Sequence, residues 1–235
     1  MKIASRTDIG LVRSSNQDAL LICAEKHALY GVADGMGGHN GGDVASGMTV
    51  QFLPKILKGS RPQEKKLRSA VEMVNKLIFN EQQKDASLIG MGTTLTVLWE
   101  DDDRLLLAHV GDSRAYRLHE GELWQVSEDH SVVGEMVRGG VLTEEQARVH
   151  PFRNVITRAV GTERDIEVDV TVLEKVPGDL YLLCSDGLYE YVTNEQMRDI
   201  LQSMPLEQAA DELLRLALEG GGQDNITVLI AEVTA

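Results

Sequence analysis

Four aspartates recur in one local setting, each where an apolar run meets a turn. Asp34 closes the run 29–33 and precedes Gly35, and Asp186 closes the run 180–185 and precedes Gly187. Asp224 follows Gly220-Gly221-Gly222-Gln223 and opens the run 225–232, and Asp112 stands at the close of 105–110. Each taken singly reads as a turn, because Asp tolerates the bend and Gly supplies positive φ. Together they allow a second chemistry. If the runs are strands of packed sheets, their acidic ends meet at one edge, where crowded carboxylates repel and divalent cations relieve them. Oxygen ligands with few His or Cys nearby favour magnesium or manganese over zinc.

The elements that would carry these residues follow from periodicity. Strands are predicted at 2–7, 19–23 and 28–33, ahead of a stretch, 34–42, with five glycines in nine residues. That much Gly implies backbone at positive φ or in close approach to a ligand. Two helices follow, 43–57 with Val44, Met48, Phe52 and Ile56 on one face, and 63–84 with Leu67, Val71, Val74 and Ile78. Glu64, Lys65, Lys66 and Arg68 read as the solvated side of the second. Short β runs at 93–100, 104–110, 115–119 and 123–127 read as an antiparallel meander. An irregular helical stretch occupies 129–157, where Thr143 to Gln146 has the form of a capping box. Strands return at 167–173 and 179–185, then helices at 194–204 and 206–219, then a strand at 226–233. Strand runs broken by helix pairs, without strict βαβ alternation, predict an α+β fold.

Composition narrows the function. At 235 residues the chain is the size of one domain, and 43% apolar residues supply a core in which aromatics, at 4%, play little part. The formal charge of −14 disfavours nucleic acid and anionic lipid, which need a basic footprint. No apolar run approaches the length of a membrane span, and the first residues lack a signal-peptide core, so a cytoplasmic protein is expected. Cys23 and Cys184 sit in apolar runs and read as structural thiols; neither is followed by an Arg placed to hold phosphate. His109, inside a strand, reads as a core histidine, and the eight Met residues as core filler. A calcium-binding structural domain fits the Gly/Asp turns, but no EF-hand ligand run is present.

Seven strings are more specific: Arg13-Ser-Ser-Asn-Gln-Asp18, Val32-Ala-Asp-Gly-Met-Gly-Gly-His39, Gly90-Met-Gly-Thr-Thr94, His109-Val-Gly-Asp-Ser-Arg114, Ser127-Glu-Asp-His130, Cys184-Ser-Asp-Gly-Leu188 and Gly222-Gln-Asp-Asn-Ile-Thr227. In this order they resemble the type 2C metal-dependent protein phosphatases, most closely the short bacterial members. The resemblance implies a central sandwich of two antiparallel sheets flanked by helix pairs, a single catalytic domain over 1–235, and a flap at about 129–157. It implies hydrolysis of phosphoserine and phosphothreonine on proteins by a water activated by two Mn2+ or Mg2+ ions, in opposition to a bacterial Ser/Thr kinase. Asp34 would bridge both ions, the Gly35 carbonyl would ligate one, and Asp186 and Asp224 would complete the other. Asp112, with Asp186, matches the place of a weaker third ion. Asp18 would hold water and Arg13 the substrate phosphate. Two positions depart from the pattern: Gln17 stands where many members have Glu, and Met36 where animal-type members have a His that serves as acid. His39 is the expected substitute for that acid, against the plainer reading of a loop histidine. Arg138, Arg148, His150 and Arg153 in the flap would meet arriving phosphopeptides. Phosphoproteins, a Ser/Thr kinase among them, are the expected partners of a monomer, with no nucleic acid and no membrane insertion. A catalytically dead binding module of the same fold should lack Asp34, Asp186 or Asp224, and all three are present.

Overall fold

Strands apolar at consecutive positions need cover on both faces. The computed structural model, which describes residues 1–234 apart from the side chains of 38–40, provides it with four layers. In chain order run β1 (Lys2–Asp8), β2 (Asp18–Cys23), β3 (Leu29–Met36), α1 (Gly38–Leu57), α2 (Glu64–Gln82), β4 (Gly92–Thr93), β5 (Leu95–Glu100) and β6 (Arg104–Val110). There follow β7 (Arg114–His119), β8 (Glu122–Gln125), α3 (Val132–Arg138), α4 (Glu144–Arg148), β9 (Asp169–Glu174), β10 (Leu180–Cys184), α5 (Asp186–Tyr189), α6 (Asn194–Ser203), α7 (Leu206–Gly220) and β11 (Ile226–Glu232). One antiparallel sheet orders β1-β11-β10-β7-β8 and the other β2-β3-β5-β6-β9, with β4 paired to β3.

Alternation divides each strand between two cores. In β6, Leu106, Ala108 and Val110 pack under α1 and α2, whereas Leu105 and Leu107 face the opposite sheet. In β11, Ile226, Val228 and Ile230 pack under α6 and α7, and Leu229 and Ala231 face inward. The expected sandwich with helix pairs outside is therefore the fold observed.

Three local expectations change. The meander is split: β5 pairs β6 and β7 pairs β8, but the chain crosses between sheets at Gly111-Asp112-Ser113, where Gly111 takes φ 106°. The glycine stretch is not all loop, since β3 runs on through Asp34 to Met36 and α1 begins at Gly38. Arg68 is not simply solvated, because its guanidinium donates to the Val168 carbonyl. Thr143 does form a capping box with Gln146, and Thr193 forms a second with Gln196.

Candidate active site

Antiparallel register gathers the acids at one end of the sandwich. Asp18, first in β2, lies opposite Asp34, near the end of β3. Cys184, last in β10, lies opposite Val228 of β11, so Asp186 and Asp224 flank the same edge. Val110, last in β6, lies opposite Leu95, which brings the crossing with Asp112 beside Thr94. Thr94 fastens the group: the Asp34 N–H donates to its hydroxyl at 2.9 Å, its own N–H donates to the Asp34 carbonyl at 2.8 Å, and its Oγ1 is 2.7 Å from Ser113 Oγ. A Cβ on Gly35 would stand 2.1 Å from the Gly42 carbonyl oxygen and 2.5 Å from that of Gln17. Only backbone fits there. The crowding of glycines in 34–42 thus lets α1 start against the strand that carries Asp34.

A cavity of about 510 Å³ results, lined among others by Arg13, Asp34, Gly35, Asp112, Asp186 and Asp224. Desolvation raises the Asp34 carboxyl well above its ordinary range, and the charges of Asp18, Asp186, Asp112 and Asp224 add to it. Asp186 is raised in the same way, by burial and then by Asp112 and Asp224. Burial pushes Asp112 up to about 7, with Asp129 adding and Arg114 opposing. Asp18 reaches about 6, mainly through desolvation, while hydrogen bonds from Thr227 and Ser185 hold it down. The Ser185 hydroxyl donates to Asp18 Oδ2 at 2.7 Å and accepts from the Thr227 N–H at 2.9 Å. Arg13 is the cation of the cavity wall, 2.5 Å from Asp224 Oδ2.

The donor set fits hard divalent cations. Oδ1 of Asp18 and Oδ1 of Asp186 are enclosed and have no hydrogen-bond partner, a costly state for carboxylate oxygens unless a cation or its water meets them. Among the described residues, no three Asp, Glu, His or Cys side chains stand ready to coordinate one ion by themselves. Magnesium-like ions suit such a wall, because they retain several waters and take only one or two carboxylates.

Asp18, Asp34, Asp112, Asp186, Asp224, Gly35 and Arg13 are thus brought together as expected, with Arg13 held on Asp224. His39 lies outside the described residues. His109 is the expected core histidine, 2% exposed, bonded to Thr96 Oγ1 and the Glu128 carbonyl at 3.0 Å each, and lowered to about 4 by burial. Cys184 is buried and Cys23 partly so, and both are free thiols. Thr94, Ser113, Ser185 and Asn225 stand inside the motif strings, but sequence reasoning gave them no role. Asn225 Nδ2 donates to the carbonyls of Ile9 and Ser15 at 3.0 Å and its Oδ1 accepts from the Gln17 N–H at 2.8 Å, fixing the loop that bears Arg13. Their signal was present: each is a polar side chain inside a motif string, next to or one residue from an acid or an apolar run.

A second cavity, of about 720 Å³, adjoins the first and shares Asp112, Asn154 and Asp186 with it. Its far wall is α3, α4 and the turns of 129–154. Among the described residues of α3 only Val133 is buried, and none of α4 is.

Residues 12–220 match the model of the family described as protein phosphatase 2C. The chain is 42% identical over 99% of its length to the serine/threonine protein phosphatase PstP of Mycobacterium tuberculosis, but spans only 45% of that protein. It is 41% identical to the serine/threonine phosphatase stp of Listeria welshimeri, over 97% of this chain and 94% of that one. Its fold superposes with a TM-score of 0.89 on the catalytic domain of PstP solved in complex with two manganese ions, at 39% identity, covering 100% of this chain and 98% of that one.

Proposed function

The chain belongs to the protein phosphatase 2C family, and we propose that it hydrolyses phosphoserine and phosphothreonine on proteins with two divalent cations, Mn2+ or Mg2+. One observation carries this reading. Four carboxylates and a guanidinium line one cavity, and two enclosed carboxylate oxygens, one of Asp186 in that wall and one of Asp18 opposite Asp34, lack any hydrogen-bond donor. When bound, the two ions supply Lewis acidity, which acidifies water and offsets phosphate charge. Asp34 would hold both ions, the Gly35 carbonyl one of them, and Asp186 and Asp224 the other, while Asp112 with Asp186 would hold a weaker third. Asp18, anchored by Ser185, accepts a hydrogen bond from the attacking water and orients it. Arg13 exchanges Asp224 for the substrate phosphate, to which its planar fork donates two parallel hydrogen bonds. Met36 cannot protonate the leaving alkoxide, and His39 is our candidate for that step.

Residues 1–235 form, in this reading, one catalytic domain with a flap at about 129–157. Its substrates are phosphoproteins, among them a bacterial Ser/Thr kinase and that kinase's targets. The domain works as a cytoplasmic monomer in signalling. Its charge of −14 argues against nucleic acid, and among the described residues no helix is long and apolar enough to cross a membrane.

The test is hydrolysis of an aryl phosphate and of a phosphothreonine peptide with Mn2+, repeated with chelator and with Asp34→Asn. Both substrates should turn over only in the metal-loaded wild type. Equal turnover in chelator refutes the proposal, as does a manganese-soaked crystal without anomalous signal beside Asp34.

A further inference from the structure

The second cavity has a chemistry of its own. Its guanidiniums are largely spoken for: Arg114 makes a bidentate pair with Asp129 and lies 3.7 Å from the Tyr189 ring centre. Arg138 donates to the Asp129 carbonyl at 2.8 Å and faces Glu128, and Arg153 faces Glu190 at 3.8 Å. Beside these pairs the lining is mixed, with polar groups such as Glu144, Arg148 and Asn154, and carries an apolar stretch of Val133, Val137, Ala147, Val149, Tyr189 and Tyr191. The same side of the molecule leaves apolar groups in water, with Val149 81%, Phe152 55% and Val155 45% exposed. Apolar surface beside a cavity on so charged a chain marks a place where another molecule sits.

We propose that this groove takes an apolar side chain of the phosphoprotein substrate, two residues from the phosphorylated one. The proposal rests on the phosphatase reading above and names what that site selects. Continuity carries it, since Asp112, Asn154 and Asp186 form a wall common to both cavities. A polypeptide whose phosphate enters the acidic cavity therefore has the groove within reach of its neighbouring residues. An extended chain advances about 3.3 Å per residue and turns alternate side chains to one face, so the second residue is the first that can follow the phosphate inward. Three of the groove's four arginines are paired, and Glu128, Glu144 and Glu190 share its wall with Arg148. An acidic side chain therefore meets little uncompensated charge, while the apolar part of the lining rewards Leu, Ile, Val or Met. Because α3 and α4 bury so little of their own, this wall is free to settle on the side chain that enters.

The experiment compares phosphothreonine peptides that differ only in Leu, Gly or Asp at the second position before or after the phosphothreonine. On one side of it, Leu should exceed Gly and Asp in kcat/KM by about tenfold. Val149→Asp, a change at an exposed site, and Val137→Thr, which keeps the shape, should each erase most of that preference. Both are read as the ratio of peptide to aryl phosphate turnover in the same protein. A preference for Asp that Arg148→Gln removes means that charge reads the groove, and overturns the proposal. Equal rates for all peptides overturn it too. Loss of aryl phosphate turnover in the wild type with Mn2+ sinks the phosphatase reading itself, a distinguishable failure.

Discussion

Replacing Asp18 with Asn in metal-free protein isolates what the acidic cluster costs the fold. The Asp18 carboxyl rises from 3.8 to about 6, with desolvation as the largest cause. That difference corresponds to roughly 3 kcal/mol of stability lost once the group ionises in the folded state. The folded state keeps its proton up to about pH 6, whereas the unfolded chain releases it near 3.8. Stability therefore falls as pH rises through this window; the cost is complete above it and absent below. Asn retains an oxygen for the Ser185 hydroxyl, but its amide goes where Asp18 Oδ1 is enclosed without a partner, at a cost of about 1–2 kcal/mol. The charge effect wins. Asp18→Asn should gain about 1–2 kcal/mol at pH 7.5 in chelator, raising Tm by roughly 4 °C. At pH 4 most of the charge cost is gone, the amide cost outweighs what is left, and the variant should be the weaker protein. Urea unfolding at both pH values reads the difference directly. Saturating Mn2+ should reverse the order at pH 7.5, because ligand binding stabilises the protein that binds it more tightly. A variant less stable than wild type at pH 7.5 in chelator, or a difference independent of pH, refutes the reasoning.

Gly35→Ala would put a methyl 2.1 Å from the Gly42 carbonyl oxygen, so β3 and α1 must part; Mn2+-dependent turnover should fall by at least about a hundredfold, as seen in a manganese titration of activity. Arg13→Lys keeps the charge but loses the planar fork, and should lower kcat/KM for phosphopeptides by about tenfold, with Arg13→Ala lower still. His109 works against the acids: as pH falls from about 6.5 to about 4 it subtracts stability, because the unfolded histidine takes up a proton that its buried folded form refuses. His109→Gln should be less stable at pH 7 yet gain more stability than wild type as pH falls across that window in denaturant titrations, and its pH–rate profile above pH 6 should match wild type.

Much of this architecture is written locally. The faces of α1 and α2, the capping box at Thr143 and the apolar runs that became β3, β6, β10 and β11 depend on periodicities of two and 3.6 and on nearest-neighbour hydrogen bonds. The acids of the site were legible for the same reason, since an Asp closing an apolar run ends up at a sheet edge wherever that strand pairs. Pairing itself was not legible. The crossing at Gly111-Asp112-Ser113 and the docking of β1 on β11, with Lys2 opposite Glu232, join segments with no shared local pattern. The glycines of 34–42 announced close approach, but that Gly35 would meet Gly42 and Gln17 followed only once α1 had packed against β3.

The sequence alone pointed to the acids now gathered at one edge and to the elements they ride on, because residue type and short-range spacing decide both. Tertiary structure alone decided that Arg13 would rest on Asp224, that Ser185 would hold Asp18, and that an apolar groove would open beside the acids. Those contacts join residues up to 211 positions apart. Such partners are chosen by the shape and charge of surfaces that exist only after two sheets have closed on one another.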